Sequence, residues 1–184
     1  VAVGSLFDIS IEDATVALRE HRPPAGRMRL IPGIKETTLL DDTYNSSPVA
    51  CERALMTLKE LKGIKRRIAV LGDMLELGQY SVREHERMGE LASQTADILV
   101  TVGVRARGIA RGALEHGMSP KVIYQYEEAD RAGRELQDML EPGDMVLVKG
   151  SQGVRLEKVV EELMAEPERA EELLVRQDPS WKHR

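Results

Sequence analysis

One cysteine, Cys51, stands in a chain of 184 residues, so no internal disulfide can form. A lone Cys on an apolar helix face reads as a small core residue. Aromatic residues make up only 3% of the chain, so the core must be built from Leu, Val, Ile, Met and Ala. Positive charge is also short, with 26 Lys and Arg against 31 Asp and Glu and a net charge of −5. That argues against nucleic-acid binding through a basic face. It leaves room for a local anion site made of backbone N–H groups at a helix start. No apolar run nears the roughly 20 residues of a membrane helix, and no signal peptide is visible. The expectation is a cytoplasmic protein with neither a membrane nor a nucleic-acid partner. Nothing matches G-x-x-x-x-G-K-[ST] either, which excludes a phosphate-binding P-loop from this stretch of chain.

What is present reads as a globular protein. Hydrophobic residues are 42% and charged residues 31%, enough for one medium domain with a core of its own, alone or with a small appendage. The chain starts "VAVGSLFDIS" without an initiator Met, as if cut from something longer. Ser10, with Asp13 three residues on, predicts a helix start, and "RPPAG" predicts its end. "RMRLIPGIKETTLLDD" predicts two strands joined at Pro32-Gly33.

From residue 40 the chain alternates strand and helix. Ser47 and Pro48 are expected to open a helix with Cys51, Ala54, Leu55, Leu58 and Leu61 inward. "RRIAVLGD" leads to a helix predicted to start at a capping box of Ser81 and Glu84. On that helix Val82, His85, Gly89 and Ala92 share the inner face, so His85 reads as a core histidine rather than a ligand. "DILVTVG", "KVIYQY" and "DMVLVKG" are further strands, each followed by an amphipathic helix. The last stretch, "EPERAEELLVRQDPSWKHR", reads as a short charged helix and a loose tail. Strands without polar alternation, joined through helices, predict an α/β fold in three αβα layers. The sheet should be mostly parallel, with an antiparallel strand or hairpin near the N-terminus.

In such a sheet ligands bind beyond the carboxyl ends of the strands. Those loops are "DDTYNSSP", "GDMLELGQYS", "GVRARG" and "KGSQGVR". Asp42, Asn45 and Ser47 suit capping and turns, but one cap needs only one of them. A second acidic group adds repulsion without adding a cap, and an Asp at a strand end is well placed to accept hydrogen bonds from ribose hydroxyls. Gly150 and Gly153 allow close backbone approach, while Lys149 suits a phosphate or carboxylate; a plain strand-to-helix turn explains them equally well. The arginines of "GVRARG" read as a solvated helix face.

Four stretches together carry a family resemblance: "LLDDTYNSSP", "IAVLGDMLELG", the helix bearing His85 and Gly89, and "VLVKGSQGVRLEKVV". They resemble the C-terminal, Rossmann-like domain of the Mur ligases. Within that family they are similar to the branch that joins D-alanyl-D-alanine to the UDP-N-acetylmuramoyl-tripeptide in peptidoglycan precursor synthesis. D-D-[ST]-Y-N, G-D-M-x-E-L-G and V-K-G-S at this spacing form a highly specific set. Sibling ligases of the folylpolyglutamate and cyanophycin type share the fold without G-D-M-x-E-L-G. A stand-alone nucleotide-binding regulatory domain is the reading from another class.

The resemblance covers residues 27–165. It implies that residues 1–26 are the tail of a central ATPase domain and that residues 166–184 form a charged helix and tail. It also implies an ATP-dependent amide ligation through an acyl phosphate. The P-loop and most ligands of Mg2+ would lie in the central domain, and the UDP-sugar would bind an N-terminal domain. Residue by residue, Arg27 resembles the junction arginine that approaches the ATP phosphates. Asp42 resembles the ribose-binding aspartate, with Tyr44 and Asn45 lining the same edge. The loops holding Asp73, Met74 and Ser151 resemble the face that positions the incoming dipeptide, with Lys149 assisting there through its charge. Many relatives carry arginine after "KGS", where this chain has Gln152. Asp41 receives no role beyond ending its strand.

Overall fold

The computed structural model describes residues 2–182. Two short helices come first, α1 (Ala2–Ser5) and α2 (Ile11–Glu20). Ser10 caps α2 as its sequence predicts: the Asp13 N–H donates to Ser10 Oγ at 3.0 Å, and the hydroxyl donates back to the Asp13 carboxylate. No residue of α2 is buried.

β1 (Arg29–Gly33) and β2 (Thr37–Asp42) form the expected antiparallel hairpin. The turn, however, lies at Ile34–Glu36, with Lys35 and Glu36 at φ of 52° and 58°, and not at Pro32-Gly33. Pro32 sits inside β1 because β1 is an edge strand, where a missing N–H costs no ladder hydrogen bond.

The remaining elements alternate. They are α3 (Pro48–Glu60), β3 (Arg66–Gly72), α4 (Ser81–Ser93), β4 (Ile98–Val102), α5 (Arg107–Glu115), β5 (Ile123–Tyr126), α6 (Ala129–Met139), β6 (Asp144–Lys149), α7 (Glu157–Leu163), α8 (Ala170–Leu173) and α9 (Pro179–Lys182). The sheet runs β1-β2-β6-β3-β4-β5, and every pairing after the first is parallel.

Side chains alternate across the sheet, and both faces are covered. Ile68, Val70, Val100 and Val146 pack under α6, α7 and α8; Ala69, Leu71, Leu99 and Leu147 pack under α3, α4 and α5. This is why the strands read as unbroken apolar runs. Leu55 and Leu58 of α3 are fully buried, each contributing about 1.5–3 kcal/mol through the area removed from water. Cys51 lies in the same layer, and burial pushes its thiol up to about 12, so it is the inert core residue expected.

Three local expectations change. α4 has no capping box: a 3-10 turn at Gly78–Tyr80 feeds straight into it, Ser81 is already helical, and Glu84 pairs with Arg87 instead. Val82 is exposed and Met88 joins His85, Gly89 and Ala92 on the buried face. The C-terminal stretch is not loose through residue 176. Ala170, Leu173 and Leu174 are spaced to bury on one side and enter the α6–α7 layer, and Arg176 is hydrogen-bonded beyond them.

Candidate nucleotide and substrate sites

β2 ends at Asp42 and β6 ends at Lys149, and the parallel register makes these two residues direct partners. The Lys149 ammonium therefore donates to Asp42 Oδ2 at 2.6 Å and to the Asn45 carbonyl at 2.9 Å. The Lys149 side chain is 2% exposed and that of Asp42 14% exposed. An ammonium so deeply placed persists only because it is paired and hydrogen-bonded. Asp42 Oδ1 accepts the Met28 N–H at 3.2 Å. Each carboxylate oxygen keeps acceptor capacity for a further donor.

Asp41, the neighbour without an assigned role, is fully buried. Its carboxylate accepts the Gly26 N–H at 3.0 Å, the Thr43 N–H at 3.2 Å and the Thr43 hydroxyl at 2.6 Å. Burial pushes its pKa up, while those hydrogen bonds pull it down and the Asp42 charge raises it. The pair of aspartates thus divides the work. Asp41 faces inward and clasps the Gly26 turn to the β2 exit; Asp42 faces the cavity.

That clasp sets the position of Arg27. Gly26 has φ of 68°, and a Cβ there would stand 2.9 Å from the Tyr44 backbone nitrogen, so glycine is required. The Tyr44 N–H donates to the Gly26 carbonyl at 3.0 Å, and the Arg27 guanidinium lies 4.1 Å from the centre of the Tyr44 ring. Such a cation–π contact contributes about 0.5–1 kcal/mol at an exposed position. Arg27, Asp42, Tyr44, Asn45 and Lys149 together line a cavity of about 400 Å³. Its floor is α3, capped by Ser47 Oγ at 3.4 Å from the Ala50 N–H.

A second cavity, of about 570 Å³, opens past the ends of β3, β4 and β5. Asp73 lines it, and its Oδ1 accepts the Ala106 N–H at 2.7 Å while Arg105 approaches Oδ2 at 3.6 Å. Gly103 lets this happen: its φ is 111°, and a Cβ would stand 2.5 Å from Asp73 Oδ1. Acidic Asp73, Glu127 and Asp130 share the walls with basic Arg105, Arg155 and Lys158. The Ser151 N–H donates to the Asp73 carbonyl at 2.9 Å, tying the two loops together.

The structure brings Arg27, Asp42, Tyr44, Asn45 and Lys149 around the first cavity, whereas the sequence resemblance groups Lys149 with Asp73, Met74 and Ser151. Asp73 lines the second cavity, but Met74 turns into the core and is 1% exposed. Its backbone N–H donates to His85 Nε2 at 3.0 Å, and His85 Nδ1–H donates to the Ser81 carbonyl at 2.6 Å, so His85 is a satisfied core histidine. The Ser151 side chain is buried too, with Oγ accepting the Leu75 N–H at 2.9 Å. Its part is to shape the loop. Arg53, given no role from sequence, lines the first cavity, and Arg105, expected on a solvated helix face, lines the second. Arg53 had a signal: Ala50, Arg53, Ala54 and Thr57 form a helical stripe facing the first cavity. Among the described residues no group of three or more His, Cys, Asp or Glu is placed to hold a metal ion, and no helix is long and apolar enough to cross a membrane.

Known proteins share this fold. Residues 26–152 match the family model described as "Mur ligase, glutamate ligase domain". The chain is 32% identical over 168 residues to the UDP-N-acetylmuramoyl-tripeptide–D-alanyl-D-alanine ligase of Bacillus subtilis, covering 91% of this chain and 36% of that protein. It is 34% identical over 143 residues to the enzyme of the same name from Synechocystis, covering 78% and 31%. Among solved structures it is similar to the MurF ligase of Thermotoga maritima in complex with ADP, with TM-score 0.71 and 25% identity over 93% of this chain and 36% of that one. The chain belongs to the Mur ligase family, of whose members it spans the C-terminal domain. It covers about a third of the length of these relatives.

Proposed function

We propose that this chain is the C-terminal part of an ATP-dependent ligase that joins D-alanyl-D-alanine to UDP-N-acetylmuramoyl-tripeptide in peptidoglycan precursor synthesis. ATP phosphorylates the tripeptide carboxylate, giving an acyl phosphate and ADP. The dipeptide amine then attacks the acyl carbon, inorganic phosphate leaves, and the amide bond is formed. The observation that carries this reading is the gathering of Arg27, Asp42, Tyr44, Asn45 and Lys149, from three separate segments, around one cavity.

Each residue has a part there. Asp42 accepts ribose hydroxyls through its remaining lone pairs. Lys149 offsets the Asp42 charge, so that the carboxylate does not repel the phosphates nearby. Arg27, resting on Tyr44, reaches the phosphates and stabilises charge on the transferring phosphoryl group. The second cavity carries both signs of charge, which suits the ammonium and carboxylate of a dipeptide, with Asp73 and Arg105 as its contacts. N-terminal and central domains of the same polypeptide would supply the P-loop, the UDP-sugar site and the ligands of Mg2+. Closure onto them completes the site and excludes water.

The test uses the full-length polypeptide that contains this segment. Phosphate release should require ATP, UDP-N-acetylmuramoyl-tripeptide and D-alanyl-D-alanine together, and the isolated 184-residue chain should give none. Turnover by the isolated chain, or release that ignores the dipeptide, overturns the reading.

A further inference from the structure

The chain beyond α8 lies across the exit of β2. Arg176, at φ of 58°, turns its guanidinium under the loop that leaves β2, and its side chain is 5% exposed. Nη1 and Nη2 each donate to the Thr43 carbonyl at 3.2 Å, and Nη2 also donates to the Tyr44 carbonyl at 2.6 Å. Nη1 donates further to Glu157 at 2.9 Å, a carboxylate buried at the start of α7 and shared with Arg155. The Trp181 ring lies 5.3 Å from the Arg155 guanidinium and 5.8 Å from that of Arg176, and Arg155 donates to the Trp181 carbonyl at 2.9 Å. Val175 touches the other half of the junction: a Cβ on Gly26 would stand 2.9 Å from Val175 Cγ1.

Residues 43 and 44 leave a parallel strand and enter a loop, so their carbonyls lack ladder partners. Arg176 supplies the donors. Asp41 holds the same loop from its amide side through the Thr43 N–H, and the Tyr44 N–H holds Gly26. The loop is thus gripped on both edges, and its exposed product is the Tyr44 ring with Arg27 across it. The strap meets the wall of the second cavity only at its side, where Trp181 and the shared Glu157 carboxylate touch Arg155. The strap also lies outside the stretch of residues 26–152 that matches the family model.

We propose that Arg176 is a positioning residue of the nucleotide site, with residues 174–182 forming a strap that fixes the Tyr44 platform for Arg27. The inference rests on the ligase reading above. It predicts a larger effect on ATP than on the dipeptide, because residues 43 and 44 build the first cavity while the strap meets the second only through Arg155. It also predicts that the effect of Arg176 on ATP runs through Tyr44.

The experiment measures KM for ATP and for D-alanyl-D-alanine, kcat and melting temperature in the full-length enzyme. The variants are Arg176→Ala, Trp181→Ala, Tyr44→Ala and the double variant Arg176→Ala with Tyr44→Ala. Arg176→Ala should raise the ATP KM about two- to fivefold, no more than loss of the Tyr44 ring does, and should raise the dipeptide KM clearly less. Trp181→Ala removes no buried charge and should shift the ATP KM in the same direction by less, so it carries the test if Arg176→Ala fails to fold. In the Tyr44→Ala background, Arg176→Ala should add nothing to the ATP KM. An unchanged ATP KM, equal rises for both substrates, or an additive double variant overturns the strap while leaving the ligase reading intact. A wild-type enzyme that uses no ATP overturns both.

Discussion

Lys149 and Asp42 stand at the matched ends of adjacent parallel strands, with ammonium and carboxylate 2.6 Å apart. The register makes this pair unavoidable once β2 and β6 are neighbours. It also explains how two consecutive aspartates coexist at a strand end: Asp41 is buried among donors, and Asp42 is neutralised by its cross-strand partner.

The pair should behave as a unit in unfolding. Removing one partner of a buried ion pair costs about 3 kcal/mol or more, because the other charge stays buried alone. Lys149→Met and Asp42→Asn should each destabilise the chain. The double variant should cost less than their sum by at least about 1 kcal/mol in urea unfolding. A double variant equal to the sum would mean that the two charges do not sense each other.

Asp41 should give the chain a specific pH response. Its carboxyl pKa is raised above 3.8 by burial, so the folded state binds its proton more tightly than the unfolded chain does. Stability from this group is therefore present at low pH and lost as pH rises through the raised value. Melting temperatures of wild type and Asp41→Asn, compared across that window, should show wild type losing ground to the variant as pH climbs. Parallel curves would refute the assignment.

Tyr44 should act through its ring and not through its hydroxyl. Tyr44→Phe keeps the face under Arg27 and should leave the ATP KM of the full-length enzyme within about twofold. Tyr44→Ala forfeits a contact of about 0.5–1 kcal/mol and should raise it about two- to fivefold. Equal values for the two variants would remove the platform from the account.

Much of this was legible in the sequence because the relevant signals are local. The two-sided apolar strands, Ser10, and Ser47 with Pro48 each reported a local preference that the tertiary structure kept. Pro32-Gly33 misled because a strong turn signal also fits an edge strand, and only the sheet order shows that β1 is an edge. Ser81 and Glu84 had the spacing of a capping box, yet the preceding 3-10 turn removed the cap position. At the site, Asp42, Tyr44 and Asn45 are close in sequence and were found together. Asp41's partner Gly26 lies fifteen residues away, and Arg176 lies 133 residues from Thr43. No periodicity encodes such pairs; they exist only once the sheet has closed. Met74 went the other way, since neighbouring Asp73 turns to the wall of the second cavity and the next side chain packs into the core.

In the proposed function two cavities at the carboxyl ends of one sheet divide the substrates, with Asp42 serving ATP and Asp73 serving the dipeptide. The most direct measurement is the pair of KM values in the full-length enzyme for Asp42→Asn and Asp73→Asn. Asp42→Asn should raise the ATP KM by about tenfold or more, as for a lost hydrogen bond to a charged group, with the dipeptide KM nearly unchanged. Asp73→Asn should do the reverse. An Asp42→Asn enzyme with the ATP KM of wild type, or variants that shift both constants alike, would contradict the account.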